Sequence, residues 1–186
     1  MKAFQKVCLL GVISVLVGCS TINSSPYRAS PTNVVAVKQA LGSSDTTLSL
    51  GSFSLAPGVE GSLTCRLLGP IDVAAGKSVS QYVKEALQEE LFLAGAYDPQ
   101  SSIALSGQIE RLGFSSVSPA SWDISLRISS NKSAGYVTDV NYGFGTSFDA
   151  YSACQNVANA FGPAVQELLR RVVQNPAFSE LAGLDS

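Results

Sequence analysis

The sequence predicts an α+β fold in which two amphipathic helices pack on one face of an antiparallel sheet. Three segments between residues 103 and 144 alternate apolar with polar residues, which is typical of strands that bury only one face. Two other segments, 78–94 and 149–174, carry apolar residues at helical spacing. The order strands, helix, three strands, helix indicates a domain whose helices cover one side of a sheet.

The first part of the domain predicts short, imperfect strands. Residues 34–37 favour a first short strand, and residues 47–55 favour a second. The apolar positions of the second strand change phase half-way along it, so we expect a β-bulge near Gly51. Residues 63–67 alternate again and predict a third strand, which ends near Gly69.

The segment 78–94 has the signals of a complete helix. Ser78 and Gln81 have the spacing of a capping box, and Gly95 suits a left-handed C-terminal stop. One side of the helix is an apolar stripe. The polar side is expected to be solvated, together with the carboxylates on or beside it: Glu85, Glu89 and Glu90.

Three strands and a long helix complete the domain. The strands are predicted at 103–110, 122–129 and 136–144, and the polar turn 130–135 joins the last two as a hairpin. Asp149 is a good N-cap for a helix that continues to about residue 174. Because Pro163 lies inside it, we expect one helix that is kinked there, with two abutting helices as the alternative.

The N-terminus has the layout of a secretory signal peptide. Lys2 and Lys6 precede an uncharged apolar run of 11 residues, Val7 to Val17. This run is well short of the roughly 20 residues that a membrane-spanning helix needs. It closes on the four residues Leu16-Val17-Gly18-Cys19.

These four residues resemble the lipobox of bacterial lipoproteins. The resemblance implies that Cys19 receives a diacylglycerol, that residues 1–18 are removed, and that the new amino group is acylated with a chain such as palmitate. Ser20, where many inner-membrane lipoproteins carry Asp, implies the outer membrane, on its periplasmic side. We expect residues 19–33, rich in small polar residues, to form a lipidated, flexible tether, and residues 34–186 to form one domain.

Composition excludes several classes of function. Removal of residues 1–18 leaves 168 residues, and the formal net charge falls from −2 to −4 because Lys2 and Lys6 are lost. The scattered basic residues give no footprint for nucleic acid. The chain has no histidine, the commonest general base and metal ligand, so neither a metal nor another cofactor is expected.

Two cysteines, Cys65 and Cys154, remain in the predicted mature domain apart from the lipidated one. An even pair in an oxidising periplasm predicts a disulfide. Cys65 is expected to share a strand face with Leu63 and Leu67, and Cys154 lies on the apolar stripe of the last helix. Both side chains should therefore point into the interface between sheet and helices.

Catalytic motifs are incomplete. Ala75-Gly76-Lys77-Ser78 invites comparison with a phosphate-binding loop, but the position that needs the first glycine holds Ile71. The chain has no Gly-x-Ser-x-Gly elbow, although a Ser/Lys dyad stays open. We therefore predict that the protein is not an enzyme. The candidate functional surface is instead the polar face of the sheet, with short side chains that leave room for a partner: Asp123, Ser125, Arg127, Ser129, Asp139 and Asn141.

The domain also resembles small envelope lipoproteins of diderm bacteria, the YajG-like lipoproteins. The similar residues are Gln81 to Leu87 with Glu90-Leu91, then Ala94 to Tyr97, followed by the strand pair and the last helix. The lipoprotein of the lipopolysaccharide translocon and auxiliary lipoproteins of envelope ABC transporters have comparable plans. The resemblance implies a non-catalytic lipoprotein that docks onto an envelope protein in assembly or transport. A small-ligand or lipid-binding module and an uncharacterised hydrolase are the alternatives.

Overall fold

The computed structural model describes residues 22, 24–42 and 44–184. Its helices are α1 (Pro31–Leu41), α2 (Val79–Leu93), α3 (Ala150–Gln174) and α4 (Phe178–Leu181). Its strands are β1 (Ser49–Leu55), β2 (Leu63–Thr64), β3 (Pro70–Ile71), β4 (Ala104–Ser115), β5 (Ala120–Ser130) and β6 (Tyr136–Phe144). The predicted leader and Cys19 lie outside these residues. None of the helices described is both long and apolar enough to cross a membrane.

The predicted α+β class is confirmed, with one difference in the sheet. The four main strands are ordered β1-β4-β5-β6, and the pairs β4–β5 and β5–β6 are antiparallel as expected. β1 instead pairs with β4 in parallel. The chain between these two strands includes α2, and such a crossover allows neighbouring strands to run in the same direction. β2 and β3 form a separate two-stranded antiparallel sheet.

The bulge predicted near Gly51 is confirmed, because the register of β1 against β4 shifts between Leu50 and Phe53. Close packing explains two glycines there. A Cβ at Gly51 would lie 2.6 Å from Ser106 Oγ, and a Cβ at Gly107 would lie 2.5 Å from the ring of Phe53. Side chains at these positions would force β1 away from β4.

The core lies between the sheet and the helices. Trp122 on β5 is fully buried, its ring centroid lies 5.0 Å from that of Phe161 on α3, and its Nε1 donates to Val157 O at 2.9 Å. α3 starts as predicted, with the Asp149 carboxylate accepting from Ser152 N at 2.7 Å. It runs through Pro163 as one helix, which settles the choice between one helix and two.

Two predicted strands are wrong. Residues 34–37 belong to α1, whose buried residues recur at helical spacing and follow a proline in the first turn: Asn33, Ala36, Val37 and Leu41. Packing against α2 and α3 thus outweighs the β-propensity of its valines. The strand predicted at 63–67 stops at Thr64, since Arg66 and Leu67 have positive φ angles of 44° and 59°.

The flexible tether predicted over residues 19–33, and the domain boundary at residue 34, also need correction. Ile22 is buried, and its carbonyl accepts from Asp72 N at 3.0 Å. Ser24 N in turn donates to Asp72 O at 2.8 Å. Residues 24–30 then lie along the domain as far as the start of α1, and we call them the N-terminal strap. The folded part therefore includes Ile22, because this residue is buried and its carbonyl is hydrogen-bonded to Asp72.

Candidate functional site

The six residues predicted to form the docking surface lie together on the side of the sheet that faces away from the helices, which we call the open sheet face. Cross-strand pairs connect most of them. Arg127 donates to Glu110 at 2.5 Å, and Asn141 donates to Asp123 at 2.6 Å. Arg111 donates to Asp139 at 2.7 Å. Sequence analysis missed Glu110 and Arg111, because the register shift between Ile109 and Arg111 was not visible in the alternation pattern.

Ser125 differs from the other members of this face in being buried. It stands in register with Arg111 on one neighbouring strand and Asp139 on the other, and the ion pair between those two side chains crosses above it. Its small size makes room for this pair rather than for a partner. The positions that a partner would meet first are Arg127, Val137, Asp139 and Asn141, all of which are exposed.

The ion pairs on the open sheet face leave its charges available. Both arginines keep about half of their side-chain surface exposed, 59% for Arg111 and 47% for Arg127. Pairs this exposed contribute at most about 1 kcal/mol to folding. Arginine presents several donors in a fixed fork and suits carboxylates on a partner. The face can therefore bind a surface of mixed charge without first losing a stabilising network.

A second polar cluster is buried under the N-terminal strap. Glu90 on α2, expected to be solvated, is fully buried. Its Oε1 accepts from Tyr27 Oη at 2.6 Å, Ser30 N at 2.9 Å and Asn33 Nδ2 at 3.2 Å. The prediction was wrong because the helix alone shows a polar edge, whereas the strap and α1 cover that edge.

Burial raises the pKa of the Glu90 carboxyl above its ordinary value of 4.5, although the hydrogen bonds from Ser30, Tyr27 and Asn33 oppose the rise. The negative charge of Glu89 nearby acts in the same direction as burial. The pKa of the Tyr27 hydroxyl is likewise raised, first by burial and then by Glu90. All three donors to this carboxylate come from the strap and α1, so the cluster acts as a clasp on the N-terminal segment.

The loop that resembles a phosphate-binding motif is filled by its own carboxylate. Asp72 accepts hydrogen bonds from Ala74 N at 3.0 Å and from Gly76 N at 2.6 Å. Lys77 forms an ion pair with Glu85. The amides and the cation that would hold a phosphate already have acidic partners, in agreement with the motif being incomplete.

The predicted disulfide between Cys65 and Cys154 is confirmed. Both cysteines are buried, and their Cα atoms are 5.8 Å apart. The bond attaches the loop after β2 to the second turn of α3. Among the described residues, no group of three or more His, Cys, Asp or Glu side chains is placed to hold a metal ion.

An exposed apolar cluster lies at the end of the sheet where β4 turns into β5, and sequence analysis did not find it. Leu67 and Phe148 are fully exposed, and Val117 and Leu68 are 62% and 51% exposed. We call these four residues the apolar tip. A groove of about 390 Å³ runs between Val117 and Phe148. The cluster was missed because Leu67 had been assigned to a strand.

Comparison with known proteins gives a likeness of fold. No known family profile matches the sequence, and no curated protein matches it. Among solved structures, the chain is similar to the crystal structure of protein XCC0632 from Xanthomonas campestris, described as a DUF330 protein. The two share 12% sequence identity with a TM-score of 0.54, over 86% of this chain and 95% of that one. At this identity the likeness concerns the fold.

Proposed function

We propose that the protein is a non-catalytic lipoprotein of the outer membrane, held on the periplasmic side by lipid on Cys19, and that its domain docks onto another envelope protein. The observation that carries the proposal is the sequence Leu16-Val17-Gly18-Cys19 at the end of an 11-residue apolar run. The Cys65–Cys154 disulfide supports it, because structural disulfides persist in oxidising compartments such as the periplasm.

The proposed docking surface is the open sheet face. It is the side of the sheet that the helices leave uncovered, and its charged residues are of both signs: exposed Arg111, Arg127 and Asp139, and half-buried Asp123. A partner with complementary charges would be oriented by such a surface, since charged pairs contribute more to specificity and to the rate of association than to affinity. A small apolar ligand in the groove beside Phe148 is the second candidate function, because its volume of about 390 Å³ is in the range of ligand sites.

The anchor is tested by the substitution Cys19→Ala. We expect the precursor to stay uncleaved and to incorporate no labelled palmitate, because the thiol that would carry the diacylglycerol is absent. Cys8→Ala, a change of the other cysteine in the predicted leader, is the matched control and should be processed like the wild type. Normal maturation and labelling of the Cys19→Ala precursor would show that the lipobox assignment is wrong.

The docking surface is tested by Val137→Lys, which places a long cation on β6, the edge strand of the open sheet face, beside Arg127. Folding should change little, since substitutions at exposed positions usually stay within about 0.5 kcal/mol. We expect the yield of envelope proteins captured from crosslinked membranes to fall at least about tenfold, as a loss of about 1.4 kcal/mol would produce. Val35→Lys on α1, also an exposed valine, is the control and should keep the wild-type yield. Equal yields from the two variants would exclude this face.

A further inference from the structure

The apolar tip is assembled from three separate loops. Leu67 and Leu68 belong to the loop between β2 and β3, Val117 to the turn between β4 and β5, and Phe148 to the connection from β6 to α3. Single exposed apolar residues are common on protein surfaces and need no explanation. Four of them on three loops that meet at one end of a domain make that end apolar, and exposed apolar surface gathered in one place is typical of an interaction site.

The side chain of Arg66 fastens these loops to one another. Its Nη1 donates to Ser147 O at 3.1 Å and to Phe148 O at 3.3 Å. Its Nε donates to Ser116 Oγ at 3.1 Å, and its Nη2 donates to Ser116 O. The adjacent disulfide at Cys65 holds the same loop on α3. The apolar side chains are thus presented on a fixed support, so little ordering is needed when they bind.

The predicted lipid anchor is joined to the folded domain by a short stretch of chain. Ile22 is held beside Asp72 by a backbone hydrogen bond, and Cys19 is three residues before Ile22, a reach of at most about 11 Å. Leu68 is four residues before Asp72, at most about 14 Å away along the chain. A domain of this length has a diameter of about 40 Å. Even added together, the two lengths fall short of this diameter, so the lipid attachment point and Leu68 do not lie at opposite ends of the molecule.

We propose that the apolar tip inserts into the interfacial region of the leaflet that holds lipidated Cys19, so that the domain stands on the membrane in one orientation. This inference rests on the proposed function for the source of the membrane. A lipid surface is favoured over a protein partner because the short path from Cys19 to Ile22 leaves the domain no room to move far from the bilayer. β4 and β5 then rise from the membrane, and the open sheet face stays accessible from the periplasm.

The charges near the tip determine which lipids are expected to bind. The guanidinium of Arg66 is occupied by backbone carbonyls, and Asp149 follows Phe148 directly. Attraction to anionic lipids needs clusters of several Lys or Arg residues, which these loops do not carry. Insertion should therefore be equally strong in vesicles of phosphatidylcholine alone and in vesicles that contain one-third phosphatidylglycerol.

Insertion is tested with the lipidated mature protein in vesicles that contain brominated phosphatidylcholine. The Phe148→Trp variant carries an indole at the tip, whereas Phe92→Trp makes the same substitution at an exposed position on the last turn of α2, near the opposite end of the sheet. The native Trp122 is fully buried and gives a constant background. We expect bromine to quench the added fluorescence of Phe148→Trp several-fold more than that of Phe92→Trp. If the two variants are quenched equally, or not at all, while the protein stays bound to the vesicles, the proposed insertion of the apolar tip is wrong. The proposed lipid anchor would not be affected by that result.

Affinity is tested without the lipid, in mature-length protein with Cys19→Ser. Replacing both Leu67 and Phe148 by serine should lower partitioning into phosphatidylcholine vesicles at least about 100-fold, as expected when two large apolar side chains no longer enter lipid. Phe92→Ser with Leu93→Ser, two exposed residues on α2, is the control and should partition like the parent. Partitioning that survives loss of the tip residues overturns the inference. So does a concentration-dependent dimer that only the tip variant abolishes, since a second copy would then occupy the patch.

Discussion

Replacing Cys65 and Cys154 together by alanine is expected to lower the free energy of unfolding by about 4 to 5 kcal/mol. The two cysteines are 89 residues apart, and closing a loop of that size removes this much entropy-derived free energy from the unfolded chain in the loop-entropy description. For a domain of this length the melting temperature should fall by on the order of 10 to 15 °C. Within the folded state, the loop that carries Leu67 should become the least ordered, because the disulfide joins this loop to α3.

The measurement is urea unfolding followed by circular dichroism, under oxidising conditions and with dithiothreitol. Wild-type protein should show a large shift in midpoint when it is reduced, whereas the double variant should show none. The reduced wild type and the double variant should then unfold at similar urea concentrations. If the double variant unfolds at the same midpoint as the oxidised wild type, the disulfide contributes nothing to stability.

The elements that could be predicted are those in which one periodicity runs through many residues. The alternation of apolar and polar residues around Trp122 predicted β5. The apolar stripe through Val157 and Phe161 predicted that α3 continues past Pro163. Local chemistry also sufficed where a side chain acts on its own neighbours. Ser78 accepts from Gln81 N at the start of α2, and Gly95 has the expected positive φ of 74°.

The errors arose where distant residues decide the local structure. α1 forms because its buried side meets α2 and α3, which the short apolar run Val34-Val35-Ala36-Val37 does not reveal. The disulfide was predicted correctly on a partly wrong premise, since Cys65 is buried while Leu67 is fully exposed. Arg66 and Leu67 have positive φ angles, and Arg66 hydrogen-bonds to loops some 50 and 80 residues away. Nothing in the local sequence indicates this conformation.

The candidate site shows the same division. Six residues could be assigned to one face of the sheet because side chains alternate along a strand. The position of Ser125 beneath the ion pair of Arg111 and Asp139 could not be predicted. The bulge after Ile109 determines which residue of β4 stands opposite Ser125. The two features that depend most on tertiary structure, the clasp at Glu90 and the apolar tip, became visible only in the folded molecule.

Replacing Glu90 by alanine is expected to lower the free energy of unfolding by about 3 kcal/mol or more at pH 5. The substitution removes the acceptor for Tyr27 and Ser30, whereas Asn33 Nδ2 keeps Gln166 O as an acceptor at 2.9 Å. A donor left inside the protein without a partner costs about 1 to 3 kcal/mol. The N-terminal strap should lose the most local stability, so the backbone amides of the strap should exchange with deuterium faster than those of α3. Glu89→Ala is the control and should have a smaller effect, since within the described part of the chain Glu89 accepts one hydrogen bond, from Ala29 N at 3.2 Å. Equal stability of Glu90→Ala and wild type would show that the clasp does not hold the strap.

Replacing Glu90 by glutamine separates the charge from the hydrogen bonds. The pKa of Glu90 is raised in the folded state, so the folded protein retains a proton that the unfolded chain has released. Its stability is therefore greatest below about pH 4.5 and falls as the pH rises through the folded pKa. The lowered pKa values of Glu85 and Glu167, the latter about 2, act only below about pH 4.5, and the chain has no histidine to titrate between pH 5 and 8. Glutamine keeps one acceptor oxygen without the charge, so its unfolding free energy relative to wild type should be larger at pH 8 than at pH 5. The increase should level off once the pH exceeds the folded pKa of Glu90. A constant difference across this range would show that Glu90 does not change its protonation there. An increase would mean that the clasp at Glu90 holds the N-terminal strap more strongly at low pH.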